Sequence, residues 1–133
     1  MQISASIKNS YQQHHIVVST EGNEKVIAIP PKAEGYGSSV NGGGLLFLSL
    51  ATCFCNDIYR EAAKRKMEIS LVEVKVSGEF GKEGEPGSNI SYEAKVESVN
   101  SSAEEIEALV EYVDGIAEIH NTLRKGVEVR RVR

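Results

Sequence analysis

From Gly44 to about Lys66 the chain runs through Leu45, Leu46, Phe47, Leu48, Leu50, Ala51, Cys53 and Phe54, then Ile58, Ala62 and Ala63 among charged residues. The first half is apolar nearly all round and the second half is amphipathic, so the segment reads as one long helix that begins buried and emerges into water. Such a helix has to be covered by other elements, and that requirement constrains the fold more than any other feature. It is not a membrane span, because no run approaches the roughly 18 uninterrupted apolar residues that a span needs. Asn41 stands where it can cap the helix. Gly42, Gly43 and Gly44 allow close approach of another backbone or a ligand but weaken helix initiation.

The covering elements are strands. Ile3, Ala5 and Ile7 alternate with polar residues, His15 to Thr20 holds a β-branched run, and Lys25 to Ile29 repeats the pattern. Gly22 and Asn23 separate the last two runs as a tight hairpin turn would. Pro30 and Pro31 end the third strand, and Lys32 to Gly44, rich in Gly, Ser and Asn, reads as an irregular, mobile segment leading to the helix. Beyond the helix, Val72, Val74 and Val76 alternate with Glu73, Lys75 and Ser77. Ile90, Tyr92, Ala94 and Val96 do the same, giving a long hairpin across the polar loop Gly81 to Asn89. Ser102 with Glu105 is a capping-box signature, followed by Ile106, Leu109, Val110, Val113 and Ile116 at helical spacing. Asp114-Gly115 is expected to break or bend this helix, Ala117 to Lys125 to form a short one ended by Gly126, and Val127 to Val132 to form a last strand. The order is βββαββαα′β and the class is α+β, with too few helices for a doubly wound parallel sheet.

A chain of 133 residues with 41% apolar content suits a single domain spanning 1–133 with a real core. The net charge of −4 provides neither a basic stripe for nucleic acid nor an excess of Lys and Arg for an anionic membrane. The one basic concentration, Arg124, Lys125, Arg130, Arg131 and Arg133, reads as a helix end and a solvated edge strand. The N-terminus has no basic-then-apolar signal region, and two cysteines two positions apart are no disulfide framework. A cytoplasmic location with reduced thiols is therefore expected.

The segment Asn41-Gly-Gly-Gly-Leu-Leu-Phe-Leu-Ser-Leu-Ala-Thr-Cys53-Phe54 resembles the central helix of OsmC/Ohr proteins, where an Asn-Pro-Glu-type start precedes an apolar run and an Ala-Ala-Cys-Phe-like motif. His120-Asn121-Thr122-Leu123, followed by Gly126-Val127-Glu128-Val129, resembles the Cys-Pro-Val-His-Asn-Thr-Leu segment before the last strand of that family. The order of elements agrees along nearly the whole chain. The resemblance implies an intertwined homodimer whose antiparallel sheets enclose two central helices. It also implies peroxidase chemistry in oxidative-stress defence, in which a helix thiolate attacks a small organic hydroperoxide and a second cysteine resolves the sulfenic acid. By position Cys53 is the attacking thiol. The other family groups are replaced: no Arg precedes Arg60, Gly42 stands for the Pro, Gly43 for the Glu, Ala117 for the second Cys and Glu118 for the Pro after it.

Peroxide reduction needs a thiolate, and a thiolate needs nearby cations or donors. Helix spacing puts Ser49, Asn56 and Asp57 beside Cys53 and Arg60 two turns away. The Asp57 charge opposes a thiolate, whereas Arg60 favours one if its side chain folds back or comes from another subunit. Lys8 and Lys25 are the only other cations on strands of the N-terminal half, apart from Lys32 in the loop, and none has the fork of an arginine. Cys55 lies about 200° round the helix from Cys53, so an intrahelical disulfide is excluded without unwinding. For the same reason Cys-x-Cys is a poor metal site, and His14, His15 and His120 show no ligand spacing; neither metal nor cofactor is expected.

A cysteine in an apolar helix is more often a packing residue than a nucleophile, and His120, on the stripe continued from Val113 and Ile116, reads first as a core or cap histidine and second as a base. The Gly42 to Gly44 run lacks the Lys-Ser/Thr of a phosphate loop. Three functions follow: a cysteine-based hydroperoxide reductase completed by an external thiol or a thiol of another chain, a degenerate small-ligand-binding protein of the same fold, and an interaction protein.

Overall fold

The computed structural model describes residues 1–132. In chain order the elements are β1 (Ile3–Ser10), β2 (Gln13–Thr20), β3 (Asn23–Ile27), α1 (Gly42–Lys64), β4 (Ile69–Phe80), β5 (Gly87–Ser98), α2 (Ala103–Ile116) and α3 (Glu118–Lys125). They fall into two compact units, one from Met1 to Gly44 and one from Leu45 onward. The α+β class and the antiparallel sheets are as expected from the alternation of apolar residues.

The first unit is a three-stranded antiparallel sheet in the order β1-β2-β3. Glu21 and Gly22 form the β2–β3 turn with φ of 50° and 80°. Positive φ at both central residues is what a twist-compatible two-residue hairpin demands, so the turn sits one residue earlier than Gly22-Asn23. Ile7, Ile16 and Ile27 form one cross-strand row. Ile16 is buried, while Ile7 and Ile27 remain 59% and 42% exposed. The Gly-rich segment after Pro31 has a definite path: Lys32 N–H donates to Gly37 O at 3.2 Å, Gly35 N–H to Lys32 O at 2.8 Å, and Ser39 N–H to Pro30 O at 3.0 Å. The Asn41 side chain caps α1 by accepting from the Gly44 N–H at 2.7 Å.

The second unit holds the core. In the β4–β5 hairpin Val72 faces Val96, Val74 faces Ala94 and Val76 faces Tyr92. This inward row receives Phe54, Ile58 and Ala62 of α1 together with Leu109 and Val113 of α2. Helix α2 begins with the full capping box, the Glu105 N–H donating to Ser102 Oγ and the Ser102 N–H donating to Glu105 Oε1, each at 3.1 Å. Gly78 gives α1 room on the hairpin, since a Cβ there would lie 2.7 Å from Phe47 Cζ and 3.3 Å from Ile90 Cα.

Three further expectations are corrected. Helix α1 does not begin buried: Leu48 is 59% exposed and the buried positions run from Leu50 to Ala62, where the helix packs on the hairpin and α2. The α2–α3 break falls at Ala117 (ψ 112°), and α2 runs through Asp114-Gly115 to Ile116. Glycine weakens a helix without ending it. The carbonyls freed at the break are satisfied instead by side chains, Asn121 Nδ2 donating to Gly115 O and Arg124 to Asp114 O. The last strand does not form: residues 127–132 are exposed and without regular structure, Val129 at 95%. Alternating valines make a strand only where an edge pairs with them, and no edge among the described residues does so. Arg133, the end of the basic group, lies outside the described residues.

Candidate functional site

The two cysteines, both free, sit on different sides of α1. Cys53 Sγ lies 3.9 Å from Asp57 Oδ2, one turn along the helix. Asp57 is itself buried and is held by Arg60, whose Nη1 donates to Asp57 Oδ1 at 2.8 Å. The same guanidinium donates through Nε to Glu61 Oε2 at 3.0 Å. Arg60 is thus engaged by Asp57 and Glu61 and is not folded back into contact with Cys53; the contacts run from thiol to Asp57 to Arg60. Cys55 lines a shallow groove with Ala51, Thr52, Asn56, Val72 and Val74. The helical rotation that separated the two thiols in the sequence also separates them in space.

Glu61, which sequence reasoning passed over, anchors this part of the helix. It is 3% exposed and is gripped by Lys64 at 2.8 Å, Arg60 at 3.0 Å and Arg65 at 3.5 Å. Hydrogen bonds from Lys64 and then Arg60 hold its carboxyl down at about 2. The i,i+3 and i,i+4 spacing of Glu61, Lys64 and Arg65 was the available signal. Arg65 also stacks on Tyr112 of α2, 4.6 Å from the ring centroid.

His120 occupies a different place. Only 5% exposed, it stands edge-on to Tyr92 (centroids 4.7 Å) and tilted against Phe54 (5.8 Å). Neither ring nitrogen has a hydrogen-bond partner, and burial first, then the Arg124 charge, lowers its affinity for a proton. It is thus a neutral core imidazole at pH 7 and makes no hydrogen bond to Cys53. Beside it the Tyr92 hydroxyl donates to Asp114, which Arg124 pairs at 2.7 Å. The bond to Tyr92, ahead of Arg124, keeps the Asp114 carboxyl below its ordinary range. Burial, with Asp114 next, pushes the Tyr92 phenol upward. These three residues come from β5, α2 and α3, so no local pattern joins them.

No group of three or more His, Cys, Asp or Glu side chains fit for a metal occurs among the described residues, and no helix there is long and apolar enough to cross a membrane.

A family model described as OsmC-like protein matches residues 35–131. Among solved structures, an OsmC-like protein from Mycoplasma pneumoniae is 20% identical with a TM-score of 0.61, over 92% of this chain and 86% of that one. An organic hydroperoxide resistance protein OsmC from Legionella pneumophila is 21% identical with a TM-score of 0.57, over 93% and 90%. The organic hydroperoxide resistance protein OhrB of Bacillus subtilis is 19% identical with a TM-score of 0.57, over 98% and 96%. No curated protein sequence matches the chain.

Proposed function

Because the chain belongs to the OsmC-like protein family, we propose that it is a thiol-dependent hydroperoxide reductase of the cytoplasm in which Cys53 is the nucleophile. One observation carries this reading: in a chain of this family, Cys53 stands on the central helix α1, half-buried, at the position that matches the family's attacking thiol. Two of the solved structures that share its fold are named for organic hydroperoxide resistance, which favours the same chemistry.

The Cys53 sulfur, having lost its proton, attacks the terminal oxygen of ROOH. The O–O bond breaks, a sulfenic acid forms, and the departing alkoxide takes up a proton as ROH. A low-molecular-weight thiol then condenses with the sulfenic acid, releasing water and leaving a mixed disulfide. A second thiol displaces Cys53, so that ROOH and two thiols give ROH, one disulfide and water. An external thiol takes this part because Ala117 stands where the family's second cysteine would be, and it is fully buried. Treating the protein with cumene hydroperoxide in the presence of dimedone, which traps sulfenic acids, should place the adduct on Cys53 and leave Cys55 unlabelled in peptide mass spectra. An unlabelled Cys53 discards the reading.

The Asp57 carboxylate beside the thiol favours a second reading, a family member that binds small molecules without turnover, and the same absence of adduct would select it. In either case we propose a homodimer. Support comes from apolar side chains that one chain leaves bare, Ile3 (64%), Ile7 (59%) and Val26 (66%) on the three-stranded sheet and Val129 on the C-terminal segment. Sedimentation equilibrium should give twice the chain mass of 14.5 kDa; the mass of a single chain would refute the dimer.

A further inference from the structure

Apart from Cys53, the second unit contains a pocket of about 220 Å³ bounded by α1, the β4–β5 hairpin and α3. Leu50, Val76, Ile90 and Leu123 make its apolar walls, and His120 and Arg124 are among its polar lining. His120 is more than nine-tenths buried with both ring nitrogens unpaired. A buried polar group left without a partner is destabilising, and a ligand supplying that partner would recover the loss. The neighbouring side chains do not supply it: Phe54 has no polar atom, and the Tyr92 hydroxyl is committed to Asp114.

The pocket carries no free charge. Arg124 is neutralised by Asp114 at 2.7 Å, and the buried imidazole is neutral, offering one donor and one acceptor. An ionic ligand would lose its hydration without gaining an unpaired counter-charge. Size sets a second limit. A cavity of about 150 Å³ holds benzene, so this one takes a six-membered ring with a short arm.

We propose that this pocket binds a small uncharged molecule with an apolar, ring-sized body and a hydroxyl head that pairs with His120. A hydroxyl both donates and accepts, matching either tautomer of the ring. The nitrogens are closed to solvent, so pairing requires the imidazole to turn toward the space it lines. Cys53 is not among the residues that line it, so binding does not require the thiol.

The test is a titration of the full chain with 2-phenylethanol, followed by proton–nitrogen correlation NMR of the backbone and of the imidazole. Resonances of Ser91, His120 and Leu123 should shift saturably. Phenylacetate and 2-phenylethylammonium should bind about tenfold more weakly, since each must bury a charge. Ethylbenzene, lacking the hydroxyl, should bind about fivefold more weakly. Leu123→Trp fills the pocket from a position 39% exposed and should abolish the shifts with the circular dichroism spectrum retained. His120→Phe keeps a ring in the core and should erase the preference for 2-phenylethanol over ethylbenzene. Three results would overturn the proposal: no saturable shift of these residues, tighter binding of phenylacetate, or a hydroxyl preference that survives in His120→Phe.

Discussion

Replacing Cys53 by serine is expected to abolish hydroperoxide consumption supported by an external thiol, while Cys55→Ser leaves it unchanged and Asp57→Asn speeds it about fivefold. The last figure comes from charge and distance. A thiolate at Cys53 would face the Asp57 carboxylate at the 3.9 Å separating Sγ from Oδ2. Two unit charges at about 4 Å repel by about 1 kcal/mol in bulk water and by more in a protein, and 1 kcal/mol corresponds to roughly fivefold in a population. Asparagine keeps the size of the buried side chain and removes the charge. Arg60 stays nearby through its bond to Glu61 at 3.0 Å, so its positive charge then acts on the sulfur without a carboxylate between them. Arg60→Gln should move the rate the other way. Second-order rate constants for cumene hydroperoxide with the four variants decide the matter. A slower Asp57→Asn protein would mean that the carboxylate accepts the thiol proton during attack.

The separation of the two thiols and the position of Asp57 were legible in the sequence because both follow from rotation along a single helix. The inward faces of the hairpin were equally open to reading, since Val72, Val74 and Val76, like Ala94 and Val96, recur with a period of two, whereas the register, shifted between Ile69 and Leu71 and between Ser77 and Glu79, was not. What stayed hidden depends on contacts between distant parts of the chain. The Tyr92–Asp114 bond joins residues 22 apart and the Arg124–Asp114 pair residues 10 apart, so the closed network beside His120 has no local signature. His120 itself could be placed on an apolar stripe, but nothing in that stripe shows that both of its nitrogens end without partners. The C-terminal valines failed as a strand for a related reason: alternation describes the faces of a strand and says nothing about whether an edge exists to pair with it.

Phe54→Ala should destabilise the protein by about 3–5 kcal/mol, the range for truncating a fully buried aromatic residue. Phe54 is 0% exposed and packs with Ile58, Ala62, Leu109 and Val113 at the centre of the core. Its ring also lies 5.0 Å from Tyr92 and 5.8 Å from His120, while those two are 4.7 Å apart, so the three rings touch pairwise. Against a typical total stability of about 5–15 kcal/mol, the loss leaves a marginal protein. Urea unfolding should show it as a lower midpoint at unchanged slope. Phe54→Leu, which retains most of the apolar volume, should cost less. Because the rings support one another, the Phe54→Ala/His120→Ala double variant should lose less than the sum of the single losses, by about 0.5–3 kcal/mol. Strict additivity would mean that His120 does not depend on Phe54 for its packing. A measurable coupling would tie the packing of Phe54, the residue next to Cys53, to the His120 wall of the pocket.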